Sequence, residues 1–176
     1  MMEIQSDSSD TRNVVSSTLD DATKKELYEK AISEIKTQLS TLEKGIIIPR
    51  MATIAAVMKK VMPYYLWTGF YFAEEKEMIA GPYQGAVACP NIAYTGVCGT
   101  AAKKKETLIV PNVHEFPGHI VCDERSNSEI VVPLLDDKGR LIAVFDVDSD
   151  SPEAFNEVDK EFLEKLLPIL LDGEIS

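Results

Sequence analysis

The spacing of the apolar residues changes at Pro63, and this change restricts the folds that the chain can adopt. Before Pro63 the apolar residues recur every three or four positions, which predicts one amphipathic helix over residues 22–43 and a second between Pro49 and Pro63. After it, the aromatic segment 64–72 alternates between two faces, as a β-strand does. The sequence therefore predicts that helices and a sheet pack together in one domain.

The last third of the chain predicts a β-hairpin followed by a helix. Two strand patterns, 129–135 and 140–148, are joined by a polar turn that contains Gly139. A closing helix begins near Asn156 and bends or ends at Pro168. Further short strands are predicted at 77–80, 84–88 and 107–110. We expect an α+β fold, an α/β sandwich in which a roughly six-stranded antiparallel sheet carries the N-terminal and C-terminal helices on one face.

Residues 1–20 are polar and rich in Ser and Asp, so we predict a disordered tail before a single domain over 21–176. No apolar stretch there resembles a signal peptide, and we expect a cytoplasmic protein with mostly reduced cysteines. The stretch 78–102 carries no charge, but its glycines and prolines would break a spanning helix. It is predicted to be a buried, turn-rich segment.

Acidic residues are concentrated near the C-terminus. The net charge is −11, and residues 123–176 carry 15 Asp and Glu against 5 Lys and Arg. Such a chain repels phosphate groups, so we expect neither nucleic acid nor a membrane surface as a partner. The basic run 103–105 is too short to change this. Most of these acids are expected on the solvated surface.

Three cysteines, Cys89, Cys98 and Cys122, allow three interpretations. They could be buried apolar residues, ligands of a zinc ion together with His119 or His114, or a redox system in which one thiolate attacks and another resolves. Their wide spacing argues against zinc, and we predict no metal. Redox chemistry is favoured by the neighbours of two of them.

Two of these thiols have surroundings that could lower their pKa. Cys122 lies in a long predicted loop beside His119 and Arg125, although the adjacent acids oppose a low thiol pKa. Cys98 lies between two glycines at a predicted helix start, where the helix dipole favours a thiolate. Both are candidates for redox chemistry.

Carboxylates and aromatic residues form two further groups. Asp146 and Asp148 are two residues apart on a strand and point to the same face, where they are either a solvated strand end or a seat for an ammonium or a metal ion. The hairpin would bring Glu129 beside them, and an apolar pocket would make it a proton donor. Trp67 and Tyr71 share one strand face, as core residues or as the walls of a ligand pocket.

The chain resembles the free methionine-(R)-sulfoxide reductases, small enzymes with the GAF fold, in segments that run in the family's order. These segments are WTGFY (67–71), GPYQGAVAC (81–89), GVCGTAA (96–102), PGHIVCD (117–123), SEIVVP (128–133) and DVDS (146–149). Two positions depart from the family pattern: Tyr94 and Thr95 stand where a basic residue with Gly is common, and Ala143 where Gly is common.

The resemblance implies reduction of free L-methionine (R)-sulfoxide, with no bound cofactor. Cys122 would be the nucleophile that forms a sulfenic acid, and Cys89 or Cys98 would resolve it as a disulfide. Thioredoxin, recharged by NADPH through thioredoxin reductase, would be the external reductant. Glu129 would hydrogen-bond the sulfoxide oxygen. The remaining substrate-binding residues implied are Asp146 and Asp148 for the ammonium group, and Trp67 and Tyr71 for the S-methyl end.

An alternative hypothesis is a non-enzymatic GAF sensor that binds a small metabolite, because a fold alone does not establish an activity. Ligand binding by such a sensor would survive alkylation of all three thiols. The sequence leaves open which cysteine resolves and whether the loop around Cys122 closes over substrate. The first and last helices offer a surface for a homodimer.

Overall fold

The computed structural model describes residues 18–43 and 45–171. The helices are α1 (Asp21–Leu39), α2 (Ile47–Val61), α3 (Gly96–Lys104) and α4 (Glu157–Leu166), with short 3-10 helices at Val113–Glu115 and Leu167–Leu171. The strands are β1 (Trp67–Ala73), β2 (Met78–Gln84), β3 (Asn91–Ile92), β4 (Leu108–Val110), β5 (Ser128–Leu135) and β6 (Leu141–Ser149). Residues 1–17 of the predicted tail lie outside the described residues, so the division at residue 20 stays a prediction.

The six strands form one antiparallel sheet in the order β3-β2-β1-β6-β5-β4. The predicted hairpin is present as β5 and β6, which pair over most of their length. Strands β1 and β5 flank β6 on its two sides. The α+β prediction with a six-stranded antiparallel sheet is confirmed, and β6 lies at its centre.

Helices cover both faces of the sheet, whereas the sequence predicted them on one. Helices α1, α2 and α4 pack on the face that presents Ile130 and Val132, and α3 packs on the opposite face against Val131. Successive strand residues point to opposite faces, so a strand that is apolar at both parities is buried on both sides. Strand β5 has this composition. The face covered by α3 carries the candidate site.

The stretch 78–102 departs from the prediction in two respects: residues 84–87 are exposed although a buried segment was predicted, and one predicted strand is a loop. Strand β2 runs through Gly81 and Pro82 to Gln84, and residues 85–90 form a loop where a strand was predicted at 84–88. Gly85 has φ of +128°, a conformation that L side chains rarely adopt, so the strand cannot continue through it unbent. Within the described part of the chain, no helix is long and apolar enough to span a bilayer.

One acidic residue that we expected on the surface is buried under the helices. Asp159 is 0% exposed and forms a buried ion pair with Lys24. The hydroxyls of Tyr28 and Tyr64 donate to its Oδ1 at 2.9 and 2.5 Å, and the hydroxyl of Tyr65 lies 2.8 Å from that of Tyr28. We call these five residues the Asp159 cluster. It ties α1 to α4 and to the segment that leads into β1.

Candidate active site

A pocket opens on the face of the sheet that α3 covers. It encloses about 610 Å³, including its open mouth. Strands β1, β5 and β6 supply its floor, α3 one wall, and residues 86–88 and 119–126 the rim. Seven of the eight predicted site residues line the pocket: Trp67, Tyr71, Cys98, Cys122, Glu129, Asp146 and Asp148. The eighth, Cys89, is not among the lining residues.

Strand register explains why three acids from two separate motifs meet. Glu129 of β5 lies opposite Asp148 of β6, and Trp67 of β1 lies opposite Asp148 from the other side. Asp146 is paired with Gly69 on β1. Glu129, Asp146 and Asp148 therefore converge on one face; we call these three residues the carboxylate cluster.

Burial dominates the electrostatics of the carboxylate cluster. Burial, and then the neighbouring Asp146 charge, raises the pKa of Glu129 well above its usual range. Burial, and then Asp148, likewise raises the pKa of Asp146, and burial raises that of Asp148 to about 6. Among the described residues no Lys or Arg forms an ion pair with these carboxylates. The cluster therefore favours either bound protons or an added cation.

One carboxylate oxygen of this cluster is unused. Asp146 is 7% exposed, and its Oδ1 is buried without a hydrogen-bond partner. An orphaned buried acceptor costs about 1–3 kcal/mol, so such a group in a pocket indicates a missing donor. One ligand atom each from Cys98, Glu129 and Asp146 lies within 4.8 Å of the others, close enough to share a cation. An ammonium group and a metal ion are both cations that fit this description.

The three cysteines separate into a pair and a single thiol. Cys89 and Cys122 form a disulfide with Cα atoms 5.6 Å apart, and Cys98 is free and buried. The disulfide links the loop after β2 to the long loop before β5. Of the two joined cysteines, Cys122 lines the pocket together with the carboxylate cluster.

The environment of Cys98 opposes a thiolate. Cys98 lies in the first turn of α3, as predicted, but burial, and then the charges of Asp146 and Glu129, raise the pKa of its thiol well above the usual value. Its Sγ lies 3.6 Å from Oε1 of Glu129, to which it donates. The expectation that the helix dipole favours a thiolate here is wrong, because burial beside carboxylates outweighs it.

Residues proposed to activate Cys122 have other partners. The guanidinium of Arg125 binds both carboxylate oxygens of Asp123 at 3.0 and 2.6 Å, and this holds the pKa of Asp123 at about 2. The side chain of His119 lies 4.0 Å from Oε2 of Glu129, and burial, followed by the nearby His114, lowers its pKa. His119 is therefore a neutral wall of the pocket at neutral pH.

Two aromatic residues of β1, Trp67 and Tyr71, line the pocket, and Tyr83 of β2 extends their stack. Trp67 stacks on Tyr71 and Tyr83 with centroid distances of 5.9 and 5.4 Å. A Cβ atom at Gly69 would lie 2.7 Å from the Trp67 ring and 2.3 Å from Cβ of Tyr83, so only glycine fits between them. The Tyr71 hydroxyl donates to the carbonyl of Cys89 at 3.2 Å. The stack therefore positions the loop that carries the disulfide.

Ser126 is a pocket residue that the sequence analysis did not single out. Its side chain is buried, and its hydroxyl donates a short hydrogen bond to Oδ1 of Asp148. Ser126 lies in a loop with no periodic pattern, so nothing in the sequence places it opposite a residue 22 positions later. The sequence offers one indication of its role, which is that Ser126 lies three residues before Glu129.

Comparison with known proteins gives a consistent result. A profile of the GAF domain family matches residues 50–168. The chain is 52% identical over 108 residues to the free methionine-R-sulfoxide reductase of Saccharomyces cerevisiae, covering 59% of this chain and 60% of that protein. It is 39% identical over 118 residues to the protein of the same name from Escherichia coli, covering 66% and 71%.

A solved structure agrees with the fold over nearly the whole described chain. The X-ray structure of free methionine-R-sulfoxide reductase from Neisseria meningitidis, in complex with its substrate, superimposes with a TM-score of 0.75 at 36% sequence identity. The match covers 89% of this chain and 91% of that one.

Proposed function

Because the chain belongs to the free methionine-(R)-sulfoxide reductases, oxidoreductases with the GAF fold, we propose that it reduces free L-methionine (R)-sulfoxide to L-methionine. The observation that carries the proposal is that a cysteine of the disulfide lines one pocket with the buried carboxylates of Glu129 and Asp146 and the half-buried carboxylate of Asp148. No prosthetic group is needed, since two thiols can supply both electrons.

Asp146 and Asp148 bind the substrate's ammonium group in this proposal. The unused Oδ1 of Asp146 accepts one of its N–H groups, and the positive charge compensates a pocket that contains three acids. A charge-assisted contact of this kind is worth about 1.5–3 kcal/mol. A methionine inside a polypeptide has no free amine, so this contact selects the free amino acid.

Glu129 acts as the acid. A sulfoxide sulfur becomes electrophilic only when its oxygen accepts a proton or a strong hydrogen bond, which requires a group that stays protonated near neutral pH. Burial and the charge of Asp146 raise the pKa of Glu129 in that direction. The thiol of Cys98 donates to Oε1, which leaves Oε2 to carry the proton that faces substrate.

Cys122 is the proposed nucleophile. Its thiolate attacks the sulfoxide sulfur while Glu129 protonates the sulfoxide oxygen. The new S–S bond and the S–O bond then break as the hydroxyl group passes to the Cys122 sulfur, so methionine leaves as a thioether and Cys122 is left as a sulfenic acid. The two electrons that reduce the substrate come from the Cys122 sulfur. Trp67 and Tyr71 wall in the S-methyl end and favour one epimer.

Cys89 is the proposed resolving residue. Its sulfur attacks the sulfenic sulfur, the hydroxyl group leaves as water with the proton given up by the Cys89 thiol, and the Cys89–Cys122 disulfide forms. Support comes from the pairing of these two cysteines and from the burial of Cys98, whose thiol pKa is raised. Thioredoxin then reduces the disulfide, and this requirement for a reduced dithiol protein favours a cytoplasmic location.

The activity is tested with the separate R and S epimers of free methionine sulfoxide, with thioredoxin coupled to NADPH oxidation. We expect turnover of the R epimer only, none of N-acetylmethionine sulfoxide, and loss of at least a thousandfold in Cys122→Ser. Unchanged turnover in that variant would contradict the proposal that Cys122 is the nucleophile.

The disulfide is tested by mass spectrometry of reduced protein that has been oxidised with one equivalent of substrate and then alkylated. We expect a peptide pair that joins Cys89 to Cys122 and an alkyl group on Cys98. A Cys98–Cys122 pair would reassign the resolving step. The sensor alternative predicts no substrate-induced disulfide at all, and its ligand binding would survive alkylation.

A further inference from the structure

The two most exposed large apolar residues of the described chain are both close to the disulfide. Val87 is 86% exposed and Val121 is 56% exposed. Val87 lies two residues before Cys89, and Val121 directly precedes Cys122. Single exposed apolar residues are ordinary, whereas these two flank the disulfide in sequence and offer apolar contact area beside it.

The disulfide holds these valines close together. Its Cα atoms are 5.6 Å apart, and a chain advances about 3.8 Å per residue, which keeps the two valine Cα atoms within about 17 Å. This separation fits inside one protein–protein contact of standard size. The loop 85–90 carries no charge, so it offers an apolar surface next to the sulfur atoms.

Exposure differs between the two sulfur-bearing residues. Cys122 is exposed, whereas Cys89 is half-buried and its carbonyl is held by Tyr71. A reductant that approaches from solvent therefore reaches Cys122 first. Thiol–disulfide exchange depends on which sulfur is accessible to the attacking thiolate.

We propose that Val87 and Val121 form the docking surface for the dithiol protein that reduces the enzyme, and that this protein attacks Cys122. The inference rests on the proposed function. The partner's thiolate bonds to Sγ of Cys122, and Cys89 leaves with the electron pair of the S–S bond and takes up a proton. The partner's second thiolate then attacks the partner's first sulfur in this mixed disulfide and releases Cys122 as a thiolate, which takes up a proton. The partner ends as a disulfide, and two electrons and two protons have moved.

The docking surface is tested by comparing a protein reductant with a small one. Oxidised Val87→Ser, Val121→Ser and the double variant are mixed with reduced thioredoxin or with dithiothreitol, and disulfide reduction is followed by stopped-flow Trp67 fluorescence. We expect the double variant to lose at least tenfold in the second-order rate with thioredoxin. Its rate with dithiothreitol should change less than twofold. The matched control is Ile48→Ser, an equally conservative change at a residue that is 48% exposed on α2, on the other face of the sheet.

Two results would overturn the docking surface. One is an unchanged rate with thioredoxin in the double variant. The other is an equal slowing with dithiothreitol, which would mean that the valines act on the disulfide itself. Substrate turnover supported by dithiothreitol alone is measured in parallel, because its absence would indicate failure of the proposed function rather than of the docking surface.

The attacked sulfur is identified by trapping. Thioredoxin whose second active-site cysteine is replaced by serine cannot complete the exchange, so a mixed disulfide accumulates. After alkylation and digestion, the partner should be attached to Cys122 and the alkyl group to Cys89. Attachment to Cys89 would overturn the assignment of the attack to Cys122.

Discussion

The sheet separates two acidic clusters that differ in how the charge of a buried carboxylate is compensated. In the Asp159 cluster, under α1 and α4, the carboxylate is paired with Lys24 and accepts from two tyrosine hydroxyls. In the carboxylate cluster, across the sheet, three acids share one pocket and Asp146 Oδ1 has no partner. The comparison teaches that a compensated buried charge supports the fold, whereas an uncompensated one is kept for a ligand.

The largest expected effect comes from removing the compensation in the first cluster. Asp159→Asn leaves Lys24 buried without a counter-charge, and we expect the free energy of unfolding to fall by about 3–5 kcal/mol. Urea denaturation measures it. Replacing both partners, as in Lys24→Met with Asp159→Asn, should restore much of the loss. The exposed Asp137→Asn serves as control, with a change within about 0.5 kcal/mol. A small effect of Asp159→Asn alone would remove the distinction between the clusters.

In the carboxylate cluster, removing a negative charge should raise the free energy of unfolding instead of lowering it. Asp148 has a pKa of about 6 in the folded protein against an ordinary value of 3.8. Because the folded state binds its proton more tightly, Asp148 contributes stability that is fully present below pH 3.8 and is lost as the pH rises through about 6.

Asp148→Asn should therefore gain stability over the natural protein as the pH rises across this window. The difference should approach about 3 kcal/mol above pH 7 and vanish below the window. Paired urea titrations of the two proteins from pH 3.5 to about 7.5 measure it, because carboxylates outside the carboxylate cluster contribute equally to both. Loss of the Asp148 charge also removes one cause of the raised pKa values of Asp146 and Glu129, which adds to the gain in the same direction. A constant difference across the pH range would contradict the assignment.

Ligand binding gives the next largest effect. Asp146→Asn removes the charge that accepts the ammonium group, and we expect free methionine to bind roughly 30-fold more weakly, about 2 kcal/mol. Isothermal titration calorimetry on the reduced protein measures this change. N-acetylmethionine, which has no ammonium, should bind weakly to both proteins. Equal affinities of the two proteins for free methionine would show that Asp146 has another role.

The smallest effect concerns the hydrogen bond that Ser126, on the rim, donates to the carboxylate cluster. Ser126→Ala removes the donor to Asp148, and we expect a loss of about 1 kcal/mol in stability at pH 7. The control is Ser40→Ala, since the Ser40 hydroxyl donates to an exposed carbonyl at the end of α1. Thermal unfolding of the three proteins is sufficient. A larger loss than that of Asp159→Asn would reverse the comparison.

The carboxylate cluster was predictable because strand alternation is a short-range property. Asp146 and Asp148 share a parity, and the turn at 136–139 fixes which residues of β5 they meet, so Glu129 follows. The Asp159 cluster was not predictable. Lys24, Tyr28 and Asp159 come from helices distant in sequence, and only the packing of α1 on α4 decides that they meet.

The disulfide partner was also beyond the sequence. Both Cys89 and Cys98 follow β2 within 14 residues of its end, and choosing between them requires the path of the loop after Gly85. A strand was predicted at 84–88 because this uncharged run is set off by Gly and Pro residues, but the positive φ of Gly85 turns the chain and brings the carbonyl of Ala86 to the indole of Trp67. Tertiary contacts therefore determine the path of this loop, which the local sequence pattern does not predict.

The central position of β6 has a consequence for the assembly of the protein. Side chains alternate along the strand, so a slip of one residue against β1 or β5 would turn both aspartates into the helical core and Phe145 and Val147 into the pocket. Such a misfolded sheet would bury two charges in place of two apolar side chains. The strand register that forms the pocket is therefore also the register that the core favours, because a one-residue slip that would destroy the pocket would also place charged side chains in the core.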